Sequence, residues 1–197
     1  MILVISQDIQ CHQETLLSPL FWQQPFLLHL RDYSATAEDL ALFIERIPTA
    51  YRERLVLHQH PQIAKELGIH RLHFNTPMRQ QNKHLAYKSG YMLSTSTHSM
   101  DEFNQLEPFW AYAFLSPFFP SISKFPYGKD SSQLSEVKNR SNKLCPLIAL
   151  GGLSPDNILT AMQAGADGSA LLGTIWQAPD PIAQLEKCVQ IYQSYDA

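Results

Sequence analysis

The sequence predicts an α/β fold with one domain over residues 1–197, a small (β/α)8 TIM barrel in which eight parallel strands close into a ring. Three observations support this prediction. Apolar runs recur along the chain, helix-like stretches separate most of them, and the last two runs each end in a loop of small residues. An open, doubly wound sheet is the alternative. The number of runs and the paired terminal loops favour the barrel.

Apolar residues dominate each predicted strand, and the run Leu147–Leu150 has no polar alternation, which is typical of a strand buried on both faces. The predicted strands are Ile2–Ile5, Phe26–Arg31, Arg54–His58, Ile69–Phe74, Tyr91–Ser96, Trp110–Ser116, Leu147–Leu150 and Ser169–Leu172. The predicted helices are Thr36–Ile47, Pro61–Leu67, Asp101–Leu106, Ser132–Asn142 and Pro181–Tyr195. One more helix is expected to begin at Ser154, a good N-cap, and to end at Gly165.

The composition excludes several functional classes. Hydrophobic residues make up 45% of the chain and charged residues 17%, which excludes a disordered polypeptide. The net charge is −3 and no basic block is present, so neither nucleic acid nor a membrane is expected as a partner. No apolar run reaches membrane-spanning length, and the N-terminus lacks the features of a signal peptide. Three widely spaced cysteines are typical of reduced thiols, so a cytoplasmic protein is expected.

Two loops of small residues predict a phosphate site. Gly151 and Gly152 follow the seventh strand, and Gly173 and Thr174 follow the eighth. In (β/α)8 barrels the loops after the last two strands commonly bind phosphate through backbone N–H groups. The alternative is that these glycines serve only tight turns.

The same region resembles the C-terminal signature of the thiamin-phosphate synthase/TenI family. The similar segments are Ala149–Leu153, Asp156-Asn157 and Ala164–Gly168. The likeness extends over essentially the whole chain, since Ser94–His98 resembles the family's Gly-x-Ser-x-His and Ser116–Lys124 resembles its Gly-Pro-x-Phe-x-Thr-x-Thr-Lys. The resemblance implies the family's small barrel, a role in thiamin biosynthesis and a phosphorylated thiazole as the small-molecule ligand.

Polar residues at the strand ends are candidates for phosphate contact, and most of them follow from this resemblance. They are Arg31, Ser96, Ser121, Ser123 and Lys124. Arginine binds phosphate through a fork of donors, and lysine supplies a point charge. An ion pair with a carboxylate at the barrel rim is the alternative role for Arg31, and a solvated surface position is the alternative for Lys124.

The chain departs from the family at residues that carry chemistry. The synthase holds Mg²⁺ with two aspartates, and their positions fall on Gln59 and Met78 here. Magnesium prefers carboxylates, so no metal and no other cofactor is expected, with Mg²⁺ required only if the synthase alternative holds. Pro117 stands where TenI-type tautomerases carry a catalytic histidine.

His58 is the first candidate for a catalytic acid and base, since it ends the third strand and titrates near neutrality, and His98 is the second. For His73 and His98, a buried, hydrogen-bonded histidine is the default expectation. A zinc site built from the histidines of the strand ends is a less favoured alternative, because neither a carboxylate nor a cysteine accompanies them. The histidines concerned are His58, His60, His73 and His98.

Three functional hypotheses remain. The first is a TenI-like enzyme that aromatises a thiazole carboxylate phosphate by proton transfer without metal. The second is thiamin-phosphate synthase, which joins a pyrimidine pyrophosphate to the thiazole phosphate. The third is a non-catalytic regulatory protein that binds the phosphorylated ligand. The sequence leaves open whether the chain forms a homo-oligomer.

Overall fold

The computed structural model describes residues 1–120 and 132–195. Eight parallel strands pair in sequence order, and the first also pairs with the last, so the barrel is closed. The strands are β1 (Ile2–Ile5), β2 (Phe26–Leu30), β3 (Leu55–Leu57), β4 (Arg71–Phe74), β5 (Met92–Thr97), β6 (Tyr112–Leu115), β7 (Leu147–Leu150) and β8 (Gly168–Leu171). The predicted fold class is confirmed, and the strands begin and end close to their predicted bounds.

The helices that connect the strands are mostly short. The α-helices are α1 (Gln13–Leu17), α2 (Ala37–Glu45), α3 (Thr49–Arg52), α4 (Thr76–Gln80), α5 (Met100–Asn104), α6 (Ile158–Gln163), α7 (Gly173–Trp176) and α8 (Pro181–Gln193). Short segments of 3-10 helix cover Phe21–Gln23, Pro61–Ile63, Lys83–Tyr87 and Leu134–Asn139. Among the described residues, none of these helices has the length and apolar character needed to cross a membrane.

Some predicted helices differ from the structure. The helix expected from Ser154 begins at Ile158, because the Ser154 N–H donates to the Asn157 side chain and the intervening residues form a turn. Gly165 follows that helix with φ +108°, as expected for a glycine at a helix end. The stretch Pro61–Leu67 contains only a 3-10 turn, which starts after His60 in the left-handed conformation.

The prediction missed helix α4, although its start carries a readable signal. The Asn75 side chain accepts from the Met78 N–H, and Pro77 lies in the first turn. This combination is a strong helix start. The helix is only five residues long, too short for the apolar periodicity on which the prediction relied.

Side chains alternate along each strand between the barrel interior and the helix layer. One part of the interior is an apolar cluster that includes Leu3, Ile5, Phe114 and Ile148. Beside it, strands β2 to β5 contribute buried imidazole and hydroxyl groups. These polar side chains are His29, His58, His73 and Ser94.

Candidate functional site

Three buried side chains form a hydrogen-bonded row across the barrel interior. His29 Nδ1 lies 2.8 Å from His58 Nε2, and His29 Nε2 lies 2.7 Å from the Tyr112 hydroxyl. Period-two alternation explains the row, because the residue paired with His29 is Val56, and His58 lies two residues further along the same face. His58 directly follows β3 and retains 7% exposure, whereas His29 is fully buried. The row therefore runs from the barrel interior to its carboxyl-end mouth.

A second row lies beside the first. His73 Nδ1 is 3.0 Å from the Ser94 hydroxyl, and His73 Nε2 is 3.0 Å from the Ser96 hydroxyl. The His73 ring stacks on the His58 ring with centroids 4.2 Å apart. Ser94 is the partner of Tyr112 in the β5–β6 register, and its hydroxyl also donates to the Leu72 carbonyl at 3.4 Å. The deep ends of the two rows therefore lie on neighbouring strands.

Burial keeps these imidazoles neutral. Loss of hydration lowers the pKa of His29 and of His58 well below the ordinary value, and the charge of Arg31 acts in the same direction. Burial, with Arg31 and Arg79 nearby, lowers the pKa of His73 to about 3. Burial also raises the pKa of Tyr112. All four groups are therefore uncharged near pH 7.

The imidazoles of His29, His58 and His73 each offer a nitrogen within 4.8 Å of the others, a grouping that could hold a metal ion. Ligand nitrogens bound at about 2.0–2.1 Å around a tetrahedral Zn²⁺ lie closer together, roughly 3.3–3.4 Å apart. Both nitrogens of His29 and both of His73 are already hydrogen-bonded. The residues fit hydrogen bonding better than coordination, and the absence of a metal stays a prediction.

Arg31 follows β2 and carries a charge that no carboxylate neutralises within the described residues. Its backbone is fixed, because the Arg31 N–H donates to the Ser6 hydroxyl at 2.8 Å. Burial lowers the pKa of the guanidinium, which nevertheless remains a cation at neutral pH. The rim ion pair considered as its alternative role is therefore not formed by the described residues. A half-buried, unpaired cation at a strand end is suited to an anionic ligand.

The four residues of the predicted phosphate loops come together because β7 and β8 are paired. Their backbone N–H groups donate no hydrogen bond within the described chain. The glycines Gly151 and Gly152 have φ values of +101° and +64°, and a Cβ atom at Gly152 would lie 2.2 Å from the Pro120 carbonyl oxygen. The close packing of this loop against Pro120 therefore requires a glycine at position 152, whether or not the loop binds phosphate. The Thr174 hydroxyl donates to the Leu153 carbonyl, so only its N–H is a free donor.

The other predicted site residues do not form one group, because each has different partners. Ser96 is half-buried and bonds His73, as described above. His98 is exposed, and its Nδ1 lies 3.2 Å from the Ser116 carbonyl, so the expected burial of His98 is wrong. His98 follows β5 and is not a member of the group formed by His29, His58 and His73. His60 bonds the Ala35 carbonyl instead of joining His58. Ser121, Ser123 and Lys124 lie outside the described residues.

The two positions of the family's magnesium aspartates hold no carboxylate. Both polar atoms of the Gln59 amide are buried and have no hydrogen-bond partner among the residues that the structure describes. Met78 packs against the hydrophobic core. Neither side chain is a good magnesium ligand.

Sequence reasoning missed His29, Ser94 and Tyr112 as members of the site. Each lies inside a correctly predicted strand. In β2, for example, His29 interrupts the leucines Leu28 and Leu30, which face the helix layer and are fully buried. The alternation was a usable signal for an inward histidine, but it does not reveal which inward residues meet across the barrel.

Comparison with known proteins gives a consistent result. A family model described as thiamine monophosphate synthase matches residues 2–175. A thiamine-phosphate synthase of Listeria welshimeri is 27% identical over 148 residues, which are 73% of this chain and 71% of that protein. Thiamine phosphate pyrophosphorylase of Bacteroides thetaiotaomicron superimposes with a TM-score of 0.74 at 24% identity, covering 100% of this chain and 97% of that one. The Pyrococcus furiosus structure gives a TM-score of 0.76 at 17% identity, covering 98% and 95%. Both structures share this fold.

Proposed function

The chain belongs to the thiamine monophosphate synthase family, and from this premise we propose that it binds a phosphorylated thiazole and catalyses a metal-independent proton transfer on that ring. This is the chemistry of a TenI-like tautomerase. The observation that carries the proposal is the open end of the histidine row. His58 uses Nε2 to bond His29 and leaves Nδ1 without a partner among the described residues, at the mouth of the barrel.

The tautomerase reaction moves a proton between carbons of the thiazole, so it needs one group that accepts a proton and returns it. A neutral imidazole accepts the proton and the imidazolium that forms returns it, provided that the ring is held within reach of the substrate. His58 is neutral because burial lowers its pKa. A positioned acid–base group typically contributes ~100- to 10,000-fold in rate.

The substrate phosphate would lie against the free N–H groups of Gly151, Gly152, Gly173 and Thr174. Arg31 would add a positive charge at the end of β2, which only β1 separates from β8, and near the imidazoles. This arrangement requires no metal ion and no other cofactor. The cytoplasm is the compartment in which we expect the reaction.

A second candidate is thiamine-phosphate synthase, which the names of the relatives favour. It would require Mg²⁺ for the pyrophosphate, and the replacement of two carboxylates by Gln59 and Met78 speaks against it. Purified protein should therefore be assayed for both reactions, with and without Mg²⁺. We expect metal-independent tautomerisation. Mg²⁺-dependent coupling of the two substrates would instead establish the synthase, and binding without either turnover would indicate a regulatory protein.

A further inference from the structure

The turn that follows β7 has its carbonyl groups bonded and most of its N–H groups free. The carbonyls of four successive residues, 150–153, each accept a hydrogen bond. Over the same stretch, the N–H groups of Gly151, Gly152 and Leu153 donate none within the described residues. Three successive donors are therefore free beside the loop that follows β8.

We propose that Asn157 is a positioning residue for the phosphate of the ligand, because it holds this turn with the free N–H groups directed toward the anion. The inference rests on the proposed function, in which the phosphate lies against the loops after β7 and β8. It adds Asn157, which acts through the backbone, and Leu153, whose N–H becomes a further donor. We call the resulting set of five N–H groups the cradle, formed by Gly151, Gly152, Leu153, Gly173 and Thr174.

Asn157 contacts the turn with both polar atoms of its side-chain amide. Its Nδ2 donates to the Gly152 carbonyl at 2.9 Å, and its Oδ1 accepts from the Ser154 N–H at 2.8 Å. These two backbone groups belong to the peptide units on either side of Leu153. A single side chain therefore fixes both units, which requires a donor and an acceptor on the same short side chain.

Peptide geometry converts these contacts into a direction for the N–H groups. In a planar trans peptide, the C=O of one residue and the N–H of the next point in opposite directions. The Gly152 carbonyl points to Asn157, so the Leu153 N–H points away from it. The Gly151 carbonyl accepts from the Phe119 N–H at 3.0 Å, so the Gly152 N–H points away from the loop after β6. Successive N–H groups of a turn form a concavity that binds anions.

The Thr174 hydroxyl holds the same turn from the neighbouring loop. It donates to the Leu153 carbonyl, the next carbonyl after the one that Asn157 binds. Each carbonyl of residues 150–153 is therefore bonded to the protein, and a phosphate on the free side of the turn meets donors. A phosphate dianion offers only acceptor oxygens, so a set of N–H groups without carbonyls is complementary to it.

Asparagine side chains often bind the backbone of turns, so a purely structural role is the alternative. The chain contains a matched case for comparison. Asn104 Nδ2 donates to the Asn139 carbonyl at 3.0 Å, and its Oδ1 accepts from the Ser141 N–H at 2.8 Å. Both Asn104 and Asn157 are half-buried, but Asn104 contacts the chain before β7 instead of after it. Asn104→Ala therefore removes the same kind of contacts at a distance from the cradle.

The first test observes the cradle by NMR of the full-length, ¹⁵N-labelled protein during titration with inorganic phosphate. In the unmodified protein, the amide signals of the cradle should shift together. Asn157→Ala should raise the phosphate concentration at half of that shift by about 10-fold, and Asn104→Ala should leave it unchanged. Thr174→Val keeps the backbone N–H and removes only the donated hydrogen bond, so it tests the same turn if Asn157→Ala fails to fold.

The second test compares a thiazole phosphate with the unphosphorylated thiazole in calorimetric titrations. Asn157→Ala should weaken the binding of the phosphorylated ligand by about 10-fold and leave the affinity for the other ligand nearly unchanged. In turnover, the same variant should raise KM with little change in kcat, because it leaves the acid–base group in place. A general loss of structure would weaken the binding of both ligands.

The outcomes separate this inference from the proposed function. If phosphate binds to the cradle and neither Asn157→Ala nor Thr174→Val weakens it, the positioning role is refuted even in an active enzyme. Equal losses in Asn157→Ala and Asn104→Ala refute it as well, since both changes then act through stability. A selective loss in a protein that tautomerises no thiazole phosphate supports the positioning role and refutes the proposed function. A cradle that binds no phosphate overturns both.

Discussion

His29 Nδ1 lies 2.8 Å from His58 Nε2, so the two imidazoles, one on β2 and one directly after β3, share one hydrogen bond inside the barrel. Only one of the two facing nitrogens can carry the proton when both rings are neutral. The protonation of His58 at the mouth is therefore coupled to that of a residue which solvent does not reach.

His58→Asn should abolish proton transfer while it leaves ligand affinity within a few-fold of the unmodified protein. The reason is that Asn keeps a polar side chain but cannot accept and return a proton at neutral pH. We expect kcat to fall by ~100- to 10,000-fold. The measurement is steady-state kinetics with calorimetric binding. His98→Asn, the comparison, should do less, because His98 lies outside the imidazole cluster, and full activity of the His58 variant would refute its assignment.

Arg31→Ala should weaken the binding of a thiazole phosphate far more than that of the unphosphorylated thiazole. A charge-assisted hydrogen bond contributes about 1.5–3 kcal/mol, which corresponds to roughly 10- to 150-fold in Kd. Calorimetric titration of both ligands measures the difference. Arg46→Ala, at an exposed arginine in the same part of the chain, is the control. Equal losses for both ligands would mean that Arg31 acts on structure. The same comparison applies to Lys124→Ala.

Magnesium should not bind tightly near Gln59. An amide and a thioether replace the two carboxylates, and Mg²⁺ binds poorly to such ligands. A calorimetric titration of the purified protein with MgCl₂ should show no micromolar site. Micromolar binding that disappears on changing a residue at the strand ends would revive the synthase as the main candidate.

The stability of the fold should decrease as the pH falls below about 6.5. Burial lowers the pKa of His73 to about 3, whereas the unfolded chain has an ordinary histidine pKa. Between these values the unfolded state binds more protons, so the free energy of unfolding rises with pH and its full value is reached above about 6.5. Urea unfolding at pH 7.5, 6 and 5 measures the slope.

His73→Gln should reduce this pH dependence, since one buried histidine no longer titrates on unfolding. His70→Gln provides the control, because His70 is exposed and its loss leaves the buried imidazoles in place. Identical slopes for the two variants would show that His73 is not the source of the effect.

Gly152→Ala should destabilise the protein by at least about 2 kcal/mol. The residue has φ +64°, and the added methyl group would lie 2.2 Å from the Pro120 carbonyl oxygen and 2.8 Å from Phe119 Cβ. The urea midpoint measures the loss. Gly90→Ala should have little effect, because open space surrounds that glycine and its φ is not positive. A harmless Gly152→Ala would mean that the loop after β6 can move away from the glycine.

The amino-acid sequence by itself determined the barrel. Strand after strand, apolar runs such as Ile2–Ile5 and Leu147–Leu150 appear where the structure has β1 and β7. The reason is that the apolar run of a strand buried on both faces, and the residues that favour turns, are patterns within short stretches of chain. The same applies to Thr36 and Ser99, which cap helices through contacts only three residues long. The predicted helix bounds were less accurate where a side chain accepts a backbone hydrogen bond ahead of the helix. At Ser154, for example, the N–H donates to the Asn157 side chain, and the helix begins only at Ile158.

Only the tertiary structure decided which polar residues form the site. Sequence reasoning selected His58 because of its position at a strand end, but it did not connect that residue with His29 or Tyr112, 29 and 54 residues away. These contacts depend on the stagger between strands and on the diameter of the closed barrel, which no local pattern specifies. Histidine has the same chemistry anywhere in a sequence. Its neutral state and its partners follow from the low-dielectric interior in which the fold places it.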